Sequence, residues 1–195
     1  MNTKRLVYIA VFTALIVVGG LVSVPIPFTQ VEMSLQTVFV IMAGVVLGAR
    51  DGALSVLIYL AMGLLGLPVF TKGGGLGYVF MPSFGYLLGF PVSASVSGLI
   101  CSKLKNPTKS RVFASALAGM IPTYVIGITY QVLILYYYMH TAWGAVIAGV
   151  PAIFVLYVKD AVLCGLVAAV YPALKRAVRG KERKPRGGGV KAVNR

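Results

Sequence analysis

Apolar residues run almost unbroken through six stretches of the chain, and Gly, Pro or charged breaks separate them. The first run covers residues 6–24, behind Lys4 and Arg5, and meets Pro25-Ile26-Pro27. Proline lacks an amide proton and restricts the residue before it, so this Pro-x-Pro reads as a helix stop. The run shows no small-x-small cleavage site and is followed by more membrane-like sequence, so it predicts a transmembrane helix rather than a signal peptide. The runs at 33–47 and 53–67 are parted by Gly48-Ala49-Arg50-Asp51-Gly52 and closed by Pro68. Both are short for a bilayer that asks for about 20 residues, so their neighbours must shield their ends or the protein must thin the membrane. Runs at about 84–100, 112–138 and 145–174 complete a set of six. The pattern predicts an all-α integral membrane protein of six transmembrane helices.

Composition agrees. Apolar residues make up 58% of the 195 positions, charged residues 11%, and the mean hydropathy is +0.90. Soluble domains carry about 25% charged residues, and one of this length cannot hide so much apolar surface. The net charge of +14 does not require nucleic acid, because the charges sort by side. Sixteen of the eighteen Lys and Arg precede run 1, lie between runs 2 and 3 or 4 and 5, or follow from Lys175. The opposite side carries Lys72 alone, and Lys159 lies inside run 6. By the positive-inside rule both termini are cytoplasmic in a prokaryotic cell membrane, with anionic lipid headgroups as partners. Residues 1–175 are expected to form the membrane domain, and the basic, Gly-rich segment 176–195 a disordered cytoplasmic tail.

The connection between runs 3 and 4 is unlike the rest. Gly73, Gly74, Gly75 and Gly77 fall within five positions, yet Phe70, Tyr78, Phe80 and Tyr86 surround them. So many glycines do not hold a helix, and a solvated linker would not be so aromatic. Non-helical backbone at membrane depth is tolerated where protein covers it or it lines a cavity. The loop is therefore a candidate functional element, with glycine freedom that permits a lid.

Chemistry has few places to reside. No Gly-x-x-x-x-Gly-Lys-Ser/Thr motif, paired carboxylates or four-ligand metal set is present in the sequence, so neither ATP hydrolysis, acid–base catalysis, a metal nor a cofactor is expected. Gly44-x-x-x-Gly48 and Gly85-x-x-x-Gly89 read as close helix packing. Cys101 and Cys164 read as free, Cys164 as a small buried hydrophobe, and His140 as interfacial. Lys159-Asp160 stands out, since a carboxylate deep in a bilayer costs about 2.5–3.5 kcal/mol on insertion scales. Adjacent helical positions point about 100° apart, so the pair is not expected to close on itself. Asp160 shares its face with Leu156, Tyr157 and Cys164, which suits a mostly apolar ligand with hydrogen-bond donors; a pair that merely fixes packing is the alternative. Tyr78, Tyr86, Tyr124 and Tyr130 add rings and hydroxyls, while Tyr136 to Tyr138 read as an interfacial belt. Gln36 serves either a ligand or a bond across helices.

These segments together resemble the BioY family, the biotin-specific substrate-binding (S) components of energy-coupling factor (ECF) transporters. The likeness is carried by Pro25-Ile26-Pro27, Leu35-Gln36-Thr37, Leu67-Pro68-Val69-Phe70, Gly73 to Tyr78, Pro82 to Phe90, and Lys159-Asp160, and spans the chain to about Lys175. The resemblance implies an ECF S-component-like bundle that captures biotin from outside, in a pocket of helices 4–6 capped by the glycine loop. It implies a membrane scaffold subunit docked on Ala10-x-x-x-Ala14 and two cytoplasmic ATPases that power delivery. It also implies that Asp160 accepts the ureido N–H groups, tyrosines hold the bicyclic body, and Lys159 or Lys72 faces the valerate. Relatives place a Lys three residues after the Asp of helix 6, where this chain has Leu163, so the partner of the biotin carboxylate stays open. An S component for another vitamin, an intramembrane enzyme and an assembly subunit without ligand are the alternatives.

Overall fold

The computed structural model describes residues 3–25, 31–104 and 107–179. Helix α1 (Thr3–Leu21) leads into a short antiparallel hairpin, β1 (Ser23–Pro25) and β2 (Glu32–Ser34), in which Val24 pairs with Met33. Then come α2 (Gln36–Leu47) and α3 (Ala49–Leu64), a glycine-rich loop with a 3-10 turn at Leu76–Phe80, and α4 (Phe84–Lys103). Helix α5 (Lys109–Leu133) ends in a π turn, Ile134–Tyr138, and α6 (Trp143–Ala148) and α7 (Val150–Arg179) form the last span, interrupted at Gly149. Six helical spans result, four of them long and apolar enough to cross a membrane.

Several expected ends shift. Helices 1 and 3 begin three and four residues earlier than their apolar runs, because Lys and Arg side chains tolerate a helix end at the membrane surface. Run 2 loses its first residues to β2, whose backbone pairs with β1 instead. The last helix continues to Arg179, past the expected boundary at 175, since nothing in Lys175 to Arg179 breaks a helix. Ile26 and Pro27 of the predicted stop, and the tail from 180 onward, lie outside the described residues.

The twelve residues of α2 span only about 18 Å. Nine of them are buried, and α1, α3, α4, α5 and α7 all pack against the helix. Shielding by neighbours is thus how a helix too short for the bilayer is accommodated. Outward faces are apolar, as on α7, where Phe154, Val158, Val162 and Leu166 are exposed; such faces suit lipid.

Close approach of α2, α3 and α4 depends on glycine. A Cβ at Gly44 would lie 2.2 Å from the Ala94 carbonyl oxygen, one at Gly98 2.5 Å from Ala49 N, and one at Gly52 2.7 Å from Gly44 Cα. In the second glycine pair, a Cβ at Gly85 would meet the Tyr130 side chain and one at Gly89 would meet Thr123 Cα. Gly48 does something else: its φ of 91° breaks the chain between α2 and α3, and a Cβ there would meet nothing. At the α1 and α3 ends opposite the hairpin, Arg5 pairs with Asp51, with Nε 2.7 Å from Oδ2.

Gly44→Ala is expected to destabilise the detergent-solubilised protein by about 1–3 kcal/mol through overpacking, whereas Gly144→Ala, in open space on α6, costs nothing. Thermal unfolding of both variants checks this.

Candidate functional site

The hairpin strand β2, the N-terminal half of α2, the start of α4, the middle of α5 and the middle of α7 converge on one cavity. Its polar lining includes Glu32, Ser34, Gln36, Thr37, Thr71, Ser83, Thr123, Lys159 and Asp160; its apolar and aromatic walls include Val31, Tyr86, Leu87, Phe90, Tyr124 and Leu156. Free volume amounts to ≈ 40 Å³, room for roughly three water molecules. A bicyclic ligand therefore enters only if lining side chains give way.

Asp160 sits on the wall, 3% exposed. Its Oδ2 accepts a hydrogen bond of 2.8 Å from the Tyr124 hydroxyl. Its Oδ1 lies 2.7 Å from Lys159 Nζ, but among the described residues no hydrogen bond of good geometry reaches that oxygen. The expectation that adjacent positions keep Lys159 and Asp160 apart is corrected: the flexible lysine stem folds back, and the ammonium also donates to the Ser34 carbonyl. An uncompensated carboxylate in this setting costs several kcal/mol, which is the force that bends the lysine inward.

Aromatic residues divide into two groups. Tyr86, Tyr124 and Tyr157 form one chain of edge-to-face contacts, with centroids 5.9 and 5.3 Å apart. Tyr86 and Tyr124 line the cavity; Tyr157 stands outside it, 38% exposed, and buttresses Tyr124. Tyr78 and Tyr130 belong to a second chain that runs Tyr59–Phe70–Tyr78–Phe84–Tyr130. Tyr78 is buried in the loop core with its hydroxyl 2.9 Å from Thr71 Oγ1, and the Tyr130 hydroxyl donates to the Val79 carbonyl. Both residues build the glycine loop instead of lining the cavity.

The loop glycines serve turns. Gly73 and Gly75 have φ values of 111° and 103°, open to glycine and costly for other residues. Gly74 passes so close to Leu67 that a Cβ would lie 2.1 Å from its carbonyl oxygen. Gly77 falls in the 3-10 turn. None of the four lines the cavity; of this loop, Thr71 does. Gln36 lines the cavity, and its amide nitrogen donates to the Tyr59 hydroxyl, the expected bond across helices α2 and α3. Ala10 and Ala14 lie on the exposed face of α1. His140 is exposed beside Tyr136, Tyr137 and Trp143.

Residues that sequence reasoning passed over are Val31, Glu32, Ser34, Thr37, Thr71, Ser83, Leu87, Phe90 and Thr123. Glu32 was one of only four acids in a largely apolar chain, a signal in itself. It bridges the hairpin and the glycine loop, 3.7 Å from Lys72 Nζ, and accepts from Ser23 Oγ at 2.7 Å.

Lys159→Met leaves the Asp160 carboxylate buried without its cation and is expected to cost about 3–5 kcal/mol. Adding Asp160→Asn recovers most of that, and thermal unfolding of the single and double variants measures it.

Known proteins are similar to this chain in sequence and fold. The model of the BioY family matches residues 1–180. A probable biotin transporter BioY of Lysinibacillus sphaericus is 38% identical over 177 residues, covering 87% of this chain and 89% of the relative. The biotin transporter BioY of Rhizobium etli is 36% identical over 183 residues, covering 89% and 98%. A crystal structure of the S-component for biotin from an ECF-type ABC transporter superposes with a TM-score of 0.76 at 27% identity, over 90% of this chain and 95% of that one.

Proposed function

Because the chain belongs to the BioY family, we propose that it is the biotin-capturing S component of an ECF-type transporter, a binding and transport subunit and not an enzyme. The observation that carries the ligand assignment is Asp160, a buried carboxylate on the cavity wall whose Oδ1 is paired with the Lys159 ammonium yet accepts no hydrogen bond of good geometry among the described residues. Biotin offers two ureido N–H donors on an apolar bicycle, and an ionised acceptor makes the stronger class of hydrogen bond to such donors. Tyr124 holds the other oxygen and so fixes the carboxylate plane. Tyr86, Leu87, Phe90 and Leu156 provide the apolar enclosure that ligand pockets need.

The valerate end then points to the outer mouth, where the hairpin and the glycine loop meet. Of the two candidate cations, Lys159 is engaged by both Asp160 and the Ser34 carbonyl. Lys72 is more exposed and held by the looser pair with Glu32, so it re-partners at lower cost and meets the ligand carboxylate. The glycine loop caps the site as a packed aromatic unit, and entry proceeds by parting it from the hairpin at this pair. Ala10 and Ala14 present the small-residue face for a membrane scaffold subunit, since small residues let helices approach closely. Separate ATPase subunits power delivery, in keeping with the absence of a nucleotide-binding motif from the sequence. Both termini face the cytoplasm, where basic residues meet anionic headgroups. Residues to about 179 make up the binding unit, and the basic segment beyond is a cytoplasmic tail.

Equilibrium binding to the purified protein tests this, with riboflavin and thiamine alongside. Biotin-selective binding is expected; selectivity for either other vitamin would overturn the ligand assignment. Asp160→Ala is expected to weaken biotin binding about 10–150-fold, the worth of a hydrogen bond to a charged group. Lys72→Met should weaken biotin but leave biotin amide, which lacks the carboxylate, unchanged.

A further inference from the structure

Helices α4 and α5 cross through two reciprocal glycine–tyrosine contacts. Gly85 of α4 makes room for Tyr130 of α5, and Gly127 of α5 makes room for Tyr86 of α4. The second contact borders the cavity. A Cβ at Gly127 would lie 2.5 Å from Tyr86 Cδ1 and 2.6 Å from its Cγ. Those atoms are at the root of the ring, so relief requires the whole ring to move and not merely its tip. One turn further along α5, Gln131 is buried, and its Oε1 accepts a 2.8 Å hydrogen bond from the Tyr86 hydroxyl. The ring is thus pinned at both ends by α5, and it meets edge-to-face the Tyr124 ring at 5.9 Å, whose own hydroxyl is on Asp160. Neither Gly127 nor Gln131 is part of the cavity lining.

Resting on the biotin-binding reading, we propose that Gly127 and Gln131 are positioning residues that set the width of the biotin site by fixing the Tyr86 wall from outside it. The hydroxyl of Tyr86 is spent on Gln131, so Tyr86 offers the ligand its ring, and where that ring stands is decided by the space at position 127. With free volume this small, a ring displaced by even a methyl width takes up space that the lining must yield to an entering ligand. Gln131 adds direction: without its carbonyl oxygen, a buried hydroxyl loses its acceptor and the ring turns to seek another.

A double-mutant cycle in biotin binding tests this on the full chain. Gly127→Ala is expected to weaken biotin about 10–200-fold, the range for one methylene misplaced in a snug pocket. In a Tyr86→Leu background, where the flexible side chain yields to the new methyl, the same substitution should have almost no further effect. Gln131→Leu should weaken binding about tenfold in the parent chain, and not at all in a Tyr86→Phe background, which has no hydroxyl to satisfy. Size-exclusion profiles and thermal unfolding establish that each variant is folded. Equal losses in the parent and Tyr86-substituted backgrounds would overturn the proposal and mark these residues as packing only. Wild-type affinity in Gly127→Ala would do the same. A parent chain that binds no biotin overturns instead the reading on which the proposal rests, so the two failures are told apart.

Discussion

A single carboxylate in the bilayer interior constrains the whole upper half of this bundle. Asp160 is almost fully buried, so its charge has to be answered from within the bundle. Its charge is balanced by Lys159, its second oxygen is held by Tyr124, and the lysine in turn reaches the last residue of β2. Through these contacts α7 is tied to α5 and to the hairpin, elements that share little other polar contact. Oδ1, the oxygen paired with the lysine, accepts no further hydrogen bond among the described residues. A purely structural ion pair brings little stability of its own, because an apolar replacement packs as well or better.

Around this charge the protein uses two kinds of close packing. In the lower bundle, glycines at 44, 52 and 98 bring three backbones together, so that the short α2 is wrapped on every side. Nearer the hairpin, glycines at 85 and 127 accept tyrosine rings. The first kind trades side chains for backbone contact, where lipid offers no hydrophobic drive for helix association. The second creates sockets that fix aromatic orientation. The glycine loop combines both ideas. Its positive-φ glycines make the turns, while Phe70 and Tyr78 insert between Tyr59 and Phe84. A loop stapled in this way is a packed unit, and it meets the hairpin at the Glu32–Lys72 pair, a 3.7 Å contact between partly exposed side chains that is worth little.

Much of this was legible from the linear chain. The six spans followed from apolar runs, because helix length against bilayer thickness is a local property. Asp160 stood out because a carboxylate inside such a run is costly wherever the helix goes. Tyr86 and Tyr124 were recognised as candidates and do line the cavity. Tyr78 and Tyr130 looked the same in sequence and do not. Nothing local separates a tyrosine that faces a cavity from one that staples a loop; the difference is which helix lies opposite. The hairpin was missed because three-residue strands at Ser23–Pro25 and Glu32–Ser34 carry no periodicity long enough to read.

The sequence by itself determined the class of protein, the number of spans and the presence of one charge that had to be answered from within. These depend on composition and on apolar runs about one helix long. Only the tertiary structure decided who answers it. Tyr124 meets Asp160 across 36 positions, Gln131 meets Tyr86 across 45, and Lys159 meets Ser34 across 125. Such partnerships are set by where helices cross and by which glycines let them approach. That geometry minimises the energy of the whole bundle, and no single segment encodes it.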